Sequence, residues 1–255
     1  MMARRRAQNG LGGQNTAPAP PAQPAGDPKI RTGAGLVREA IFGVNDGLVA
    51  TVGLLSGESL GHQPHRAIVI AGLSAVGAAM VSMAVGSYLA THSQNDFMRK
   101  QTEDQQTEIL RHPDHERGEV RQLLREIGVP FPELAAVERN IVASRPRWLR
   151  FMMREAWGIH EARMEGPLAN AAVMGAAVLV GSVPPIVPYL WGGSLLAARN
   201  WSWGLSLGTA LAIGALKGRI TGSSALKSAW SFAVLTGLSA TVGALIGLGL
   251  GVRGG

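Results

Sequence analysis

The chain has no cysteine among its 255 residues, which excludes disulfides and thiolate metal sites together. Any metal must then be held by carboxylate, imidazole, thioether or carbonyl groups, a set suited to hard or borderline divalent ions. Aromatic residues make up only 5% and fall near the ends of apolar segments, so no aromatic-lined cavity for an organic cation is expected. Acidic residues number 17 against 24 basic ones, a formal net charge of +7. The first residues lack the apolar core of a secretory signal. No nucleophile–base arrangement stands out, and the apolar segments are too long for a soluble enzyme.

What the chain has instead is glycine, 34 residues of it, and several long apolar runs. A mean hydropathy of +0.14 averages two populations, apolar segments nearly free of charge and a polar middle. The stretch Leu36–Leu60, LVREAIFGVNDGLVATVGLLSGESL, is long enough to cross a bilayer as a helix, at ~20 residues per crossing. Yet Asp46 sits well inside it. A charge near the bilayer centre costs roughly 2.5–3.5 kcal/mol on insertion scales. Such a carboxylate either meets a cation, a proton or a partner, or it hydrogen-bonds a neighbouring helix. Asp46 is the first candidate functional residue on that ground.

Residues 1–33 are rich in Pro, Ala, Gly and Gln and read as a disordered tail; Arg4, Arg5 and Arg6 act there as topology determinants. Residues 34–91 hold two spans, the second running from about Ala67 to Leu89. Its Gly and Ala content lets helix backbones approach closely, as do the GxxxG pairs Gly43/Gly47 and Gly53/Gly57 in the first. His62 and His65 lie in the turn between them, as metal ligands or simply as polar residues.

Residues 92–163 are charged and contain no stretch able to span. Ser93–Arg111 continues the second span as a helix. Pro113 suits the first turn of the next helix, whose apolar stripe is Val120, Leu123, Leu124 and Ile127, ended by Gly128 and Pro130. A third helix starts near Pro132 with Leu134, Val137 and Ile141, and Pro146 breaks it. A fourth runs from Trp148 to about Arg163.

Residues 164–255 hold three more spans, about Leu168–Trp191, Leu195–Leu216 and Ser228–Gly251. Pro184, Pro185 and Pro188 distort or end the first of these. Gly243, Gly247 and Gly251 share one face of the last. Tyr189, Trp191, Trp201, Trp203 and Trp230 suit an aromatic belt. The expected fold is all-α: a polytopic membrane protein with five transmembrane helices and a cytoplasmic helical domain. With five spans, all but Arg66, Arg199 and Arg253 of the 24 basic residues fall on the N-terminal side. The positive-inside rule makes that side cytoplasmic, and the asymmetry accounts for the basic charge without nucleic acid.

Two constellations could carry chemistry. Within the membrane, Asp46 on the first span faces Met80 and Met83 on the second. A carboxylate with a soft thioether suits a borderline ion such as Fe(II) better than Mg or Ca; the alternative is that the methionines are packing. In the polar region, Glu116 and Glu119 lie three apart on one helix face, and Gln105 and Glu108 repeat the spacing on the preceding helix. An antiparallel hairpin would gather these four groups into an oxygen-rich cluster. Met152, Met153 and Glu155 follow on the last polar helix, and His112 and His115 flank the turn. The alternative is a solvated helix face.

The segments REAIFGVNDGLVATVGLLSG and GLSAVGAAMVSMAVGSYLATHSQ, with FMMREAWGI further on, resemble the vacuolar iron transporter (VIT/CCC1-like) family from about Arg38 onward. The resemblance implies a homodimer with a pore at the dimer interface and a cytoplasmic metal-binding domain. It implies export of Fe(II), often also Mn(II), in exchange for protons, with no cofactor besides the transported ions. The family's pore residues fall on Asp46 and Met83. Its cytoplasmic ligands fall on Glu108, Glu116, Glu119, Met152 and Met153. The chain departs from the pattern at three places. Gln105 stands for a Glu, Ala156 stands for a Glu that here comes one place early as Glu155, and Ser87 stands for the Glu of GEYL. A one-residue shift turns a helical side chain by about 100°, so a smaller cytoplasmic site is expected.

The reading is thus a divalent-metal/proton antiporter in the bilayer, with a non-transporting membrane sensor or scaffold as the rival. Composition favours a bacterial plasma membrane over a vacuolar one.

Overall fold

One helix holds the others in place. In the computed structural model, which describes residues 28–158, 166–191 and 193–251, α1 (Pro28–Leu60) packs against α6 (Pro167–Leu190) and α8 (Ala225–Gly251). It also touches α7 (Leu195–Ile220) and α2 (His65–Arg111). The expected tail up to residue 27, and the end of the last polar helix beyond residue 158, lie outside the described residues.

Glycine sets the spacing. Gly43 and Gly47 lie against Ala177, Val178 and Ser182 of α6. Gly53, Gly57 and Gly61 lie against Ser239, Gly243, Gly247 and Gly251 of α8, and a Cβ at Gly57 would stand 2.9 Å from the Gly243 carbonyl oxygen. The GxxxG pair on the first span and the glycine row on the last are therefore two sides of one seam, where backbones meet without side chains between them. Hydroxyls fasten the same contacts: Ser239 donates to the Val49 carbonyl at 2.7 Å, and Thr51 donates to Ser182 Oγ at 3.0 Å.

α2 is continuous over 47 residues, so the second span does run on into the polar region. Beyond it come α3 (Pro113–Glu126), α4 (Phe131–Val142) and α5 (Arg145–Glu155). Their shared core contains Ile109, Val120, Leu124, Leu134, Ile141, Trp148, Phe151 and Met152. A buried Glu138 accepts from Arg121 Nε and Nη2 at 2.8 and 2.6 Å and ties α3 to α4. Ile127 departs from the expected stripe and is exposed, because it caps α3 rather than lying within it. Pro146 starts α5 instead of only ending α4, and α5 stops at Glu155, well short of Arg163. Gly158, at φ +64°, makes the chain turn there.

α6 runs through Pro184 and Pro185 and ends two residues past Pro188, at Leu190. Proline costs a helix one donor each, and here the surrounding helices hold it straight through; Ser202 of α7 donates to the Pro185 carbonyl at 2.7 Å. Trp191, Trp201 and Trp230 are exposed as a belt requires, but Tyr189 is buried, with His65 edge-on to its ring and His65 Nε2 2.6 Å from its carbonyl oxygen. His65 thus has a structural role.

Among the described residues four helices are long and apolar enough to cross a membrane: α1, α2, α6 and α8. α7 matches them in length, but Arg199, Asn200, Lys217 and several serines dilute it. Its buried face is made of small residues every fourth position, Ala198, Ser202, Ser206, Ala210, Gly214 and Gly218.

Candidate metal-ion pathway

Asp46 is half-buried in the apolar stretch of α1. Among the described residues no hydrogen bond or ion pair engages its carboxylate, so helix-to-helix bonding within the chain does not account for it. Beside it, Asn45 buries its Oδ1 with no donor. This turn of α1 therefore presents uncommitted oxygens in an apolar setting.

The register of α1 against α2 places the methionines. Ser87 meets Glu39 and Gly72 meets Leu55, so the two helices run antiparallel with Met80 level with Asp46 and Met83 about one turn toward Glu39. The two differ in surroundings. Met80 lies against Gly175 of α6, as packing would have it. Met83 lines a cavity of about 350 Å³ together with Arg38, Glu39, Phe42, Ser87 and Met174.

Glu39 escaped the sequence reading. It is buried, and its carboxylate accepts from Ser87 Oγ at 3.2 Å and from Arg38 Nη2 at 3.1 Å. The signal was present: Glu39 precedes Asp46 by two helical turns, which puts both on one face about 10 Å apart. Where the family pattern led to a carboxylate at position 87, this chain has a hydroxyl that instead orients a carboxylate on the facing helix. Thioethers from Met83 and Met174 complete a mixed oxygen and sulfur lining, which suits a borderline divalent ion. Another cavity, of about 890 Å³, lies between the far ends of α1 and α8 and is lined by Leu54, Glu58 and His62 among others. Of the residues considered as metal ligands only His62 lines it; Asp46, Met80 and Met83 do not.

The polar-region cluster assembles as the antiparallel hairpin requires. Gln105 and Glu116 are both buried; Gln105 Nε2 donates to Glu116 Oε2, and Gln105 Oε1 accepts from Trp157 Nε1 at 3.0 Å. Burial holds the Glu116 carboxyl above the ordinary carboxylate value, and the negative Glu119 and Glu108 push it the same way; the Gln105 bond and His115 oppose them. Glu119 lies 3.5 Å from His115 Nε2, and Glu108 is exposed, as is His112 at the junction. Met152 sits at the centre of the domain core and Met153 is buried beside it. Glu155 is paired with Arg154 at 2.6 Å. Among the described residues no three His, Asp or Glu side chains within the chain enclose a metal site.

The family model for the VIT family matches residues 37–248. Vacuolar iron transporter 2 of Oryza sativa subsp. japonica is 32% identical over 208 residues, covering 82% of this chain and 85% of that protein. Vacuolar iron transporter 1 of Arabidopsis thaliana is 30% identical over 204 residues, 80% of this chain and 82% of that protein. Protein CCC1 of Saccharomyces cerevisiae is 23% identical over 168 residues, 65% and 50% of the two chains. None of these names is that of an enzyme. With the matched region running from within the Asp46 helix through Gly247 of the glycine seam, the chain belongs to the VIT family.

Proposed function

We propose that the chain is a divalent-metal transporter that carries Fe(II), and Mn(II) as well, out of the cytoplasm in exchange for protons, along a path between two copies of itself. The observation that carries this reading is the carboxylate of Asp46, set in an apolar helix with no bonding partner among the described residues. Two subunits bring two such groups to one ion, matching its charge of +2. Glu39 and Met83 stand one to two turns along the same route and would take the ion to or from Asp46. Protonation of these carboxylates from the far side removes their charge and favours release.

In this reading α7 is the fifth crossing. Only residues 191–194 join it to α6 and 221–224 to α8, so if both neighbours cross, α7 must cross between them. The excess of Lys and Arg on the side of α3–α5 makes that side cytoplasmic. Glu108, Glu116, Glu119 and Met153 collect the ion there, and the partner subunit completes the site. Met152, enclosed in the domain core, positions α5. The composition favours a bacterial plasma membrane.

The test is uptake of Fe(II), Mn(II), Co(II) and Zn(II) by purified protein in proteoliposomes, with and without a pH gradient. Uptake of Fe(II) and Mn(II) that an opposing proton gradient accelerates is expected. Metal binding without any flux would favour the sensor instead.

Acid should weaken the collecting site early. A cation needs Glu116 ionised, whereas the fold raises its pKa, so the protonated form is the one favoured on folding; that contribution is present at low pH and lost as pH rises through the raised value. Mn(II) affinity is therefore expected to fall on acidification at a pH above that of an ordinary Glu. In Glu119→Gln, which removes a neighbouring negative charge, the midpoint should move down. A midpoint that stays put would show that Glu119 does not act on Glu116.

A further inference from the structure

Of the positions at which the polar region departs from the family motif, 105 is bonded to the residue that follows 156. Trp157 follows Ala156, and its indole N–H donates to Gln105 Oε1 at 3.0 Å; the other end of the same amide donates to Glu116 Oε2. The orientation of that amide is dictated by chemistry. An indole N–H only donates and an ionised carboxylate only accepts, so the carbonyl must face Trp157 and the NH₂ must face Glu116. A flipped amide would set donor against donor and acceptor against acceptor. Gln105 and Glu116 are only 6% and 4% exposed, which shields their mutual bond from water, while the Trp157 ring that holds the other end is half exposed.

We propose that Gln105 is a positioning residue that sets the ion preference of the Glu108/Glu116/Glu119 cluster: pinned by Trp157, its amide occupies one oxygen of Glu116 and leaves that carboxylate a single oxygen for a cation. The inference rests on the reading of this cluster as the ion-collecting site. Its consequences follow from coordination chemistry. Gln105 cannot lend its own carbonyl to an ion, because Trp157 already holds it. Glu116 binds through one oxygen or must expel the amide to bind through two. Manganese, which takes several hard oxygens, loses most by this arrangement. Zinc, content with four ligands and one oxygen from each carboxylate, loses least. Gln105, Trp157 and Glu116 therefore act as one device, an amide held ready between an indole and a carboxylate, which trims the site's oxygen count.

The experiment uses the full-length protein in detergent. Mn(II) binding is followed by the EPR signal of the free ion, Zn(II) by competition, and the component of interest is the part lost in Glu116→Gln. Trp157→Phe frees the Gln105 carbonyl while keeping an aromatic ring; Gln105→Leu removes both ends of the amide at similar volume. Both variants are expected to raise the Mn(II) to Zn(II) affinity ratio about fivefold or more. A purely structural role would weaken both ions together and leave the ratio alone, which would overturn the proposal. If Gln105→Leu does not fold, Trp157→Phe decides it by the same ratio. A wild-type protein whose Mn(II) binding is untouched by Glu116→Gln would instead remove the collecting site itself, an outcome distinct from an unchanged ratio at a Glu116-dependent site.

Discussion

Asp46→Ala is expected to abolish metal uptake into proteoliposomes while leaving the protein folded. A divalent ion entering an apolar passage gives up part of its water shell, and fixed charge must replace it. Unit charges about 4 Å apart attract by about 4 kcal/mol at an effective dielectric constant near 20. Loss of one such interaction corresponds to roughly a thousandfold slower passage. The stability change should have the opposite sign. Asp46 has no bonding partner among the described residues, so its removal breaks none of their bonds, and it relieves the cost of a charge in an apolar helix, roughly 2.5–3.5 kcal/mol at the bilayer centre. The measurement is uptake paired with thermal unfolding in detergent. Wild-type uptake by Asp46→Ala would strike the residue from the mechanism. A marked fall in melting temperature would mean that the carboxylate serves the fold.

Gly247→Leu should do the reverse, wrecking the fold at a distance from the chemistry. A Cβ at Gly247 would run into the backbone carbonyl of Gly57, as one at Gly243 would run into that of Gly53. Backbone cannot rotate aside as a flexible side chain can, so α8 would have to move away from α1 along the whole seam. Overpacking typically costs about 1–3 kcal/mol, and contact with backbone on a helix that also holds α6 places this case at the upper end or beyond. Gly249→Leu is the control, since nothing among the described residues lies within 4 Å of a Cβ there. The expected outcome is a large loss of monodisperse protein and of melting temperature for Gly247→Leu, with Gly249→Leu close to wild type. Equal stability of the two variants would mean that the α1–α8 seam does not hold the bundle together.

Both results depend on features that differ in how far the sequence reveals them. Asp46 was visible because a charge inside an apolar run violates the composition of its surroundings, and no structure is needed to notice it. Glu39 was not, although it is the more deeply buried carboxylate. It lies close to the end of the apolar stretch and next to Arg38, where a charge looks ordinary; only the approach of Ser87 from α2 shows that it faces inward. The methionines separate for the same reason. Met80 and Met83 have the same chemistry and lie three residues apart, but one packs on α6 and the other lines a cavity with Glu39. In the polar region the spacing of Gln105, Glu108, Glu116 and Glu119 forecast the gathering at the hairpin. It held no sign that Trp157, some fifty residues on, would fasten it.

Periodicity and composition alone therefore determined the helices, the apolar segments, the polar interruption and the isolated carboxylate, because each is a property of neighbours along the chain. Which glycine row met which, which carboxylate turned inward, and which side chain held Glu116 were decided by tertiary structure. Those outcomes depend on contacts between segments far apart in sequence, and such contacts are fixed only when close-packed backbones set the register of one helix against another.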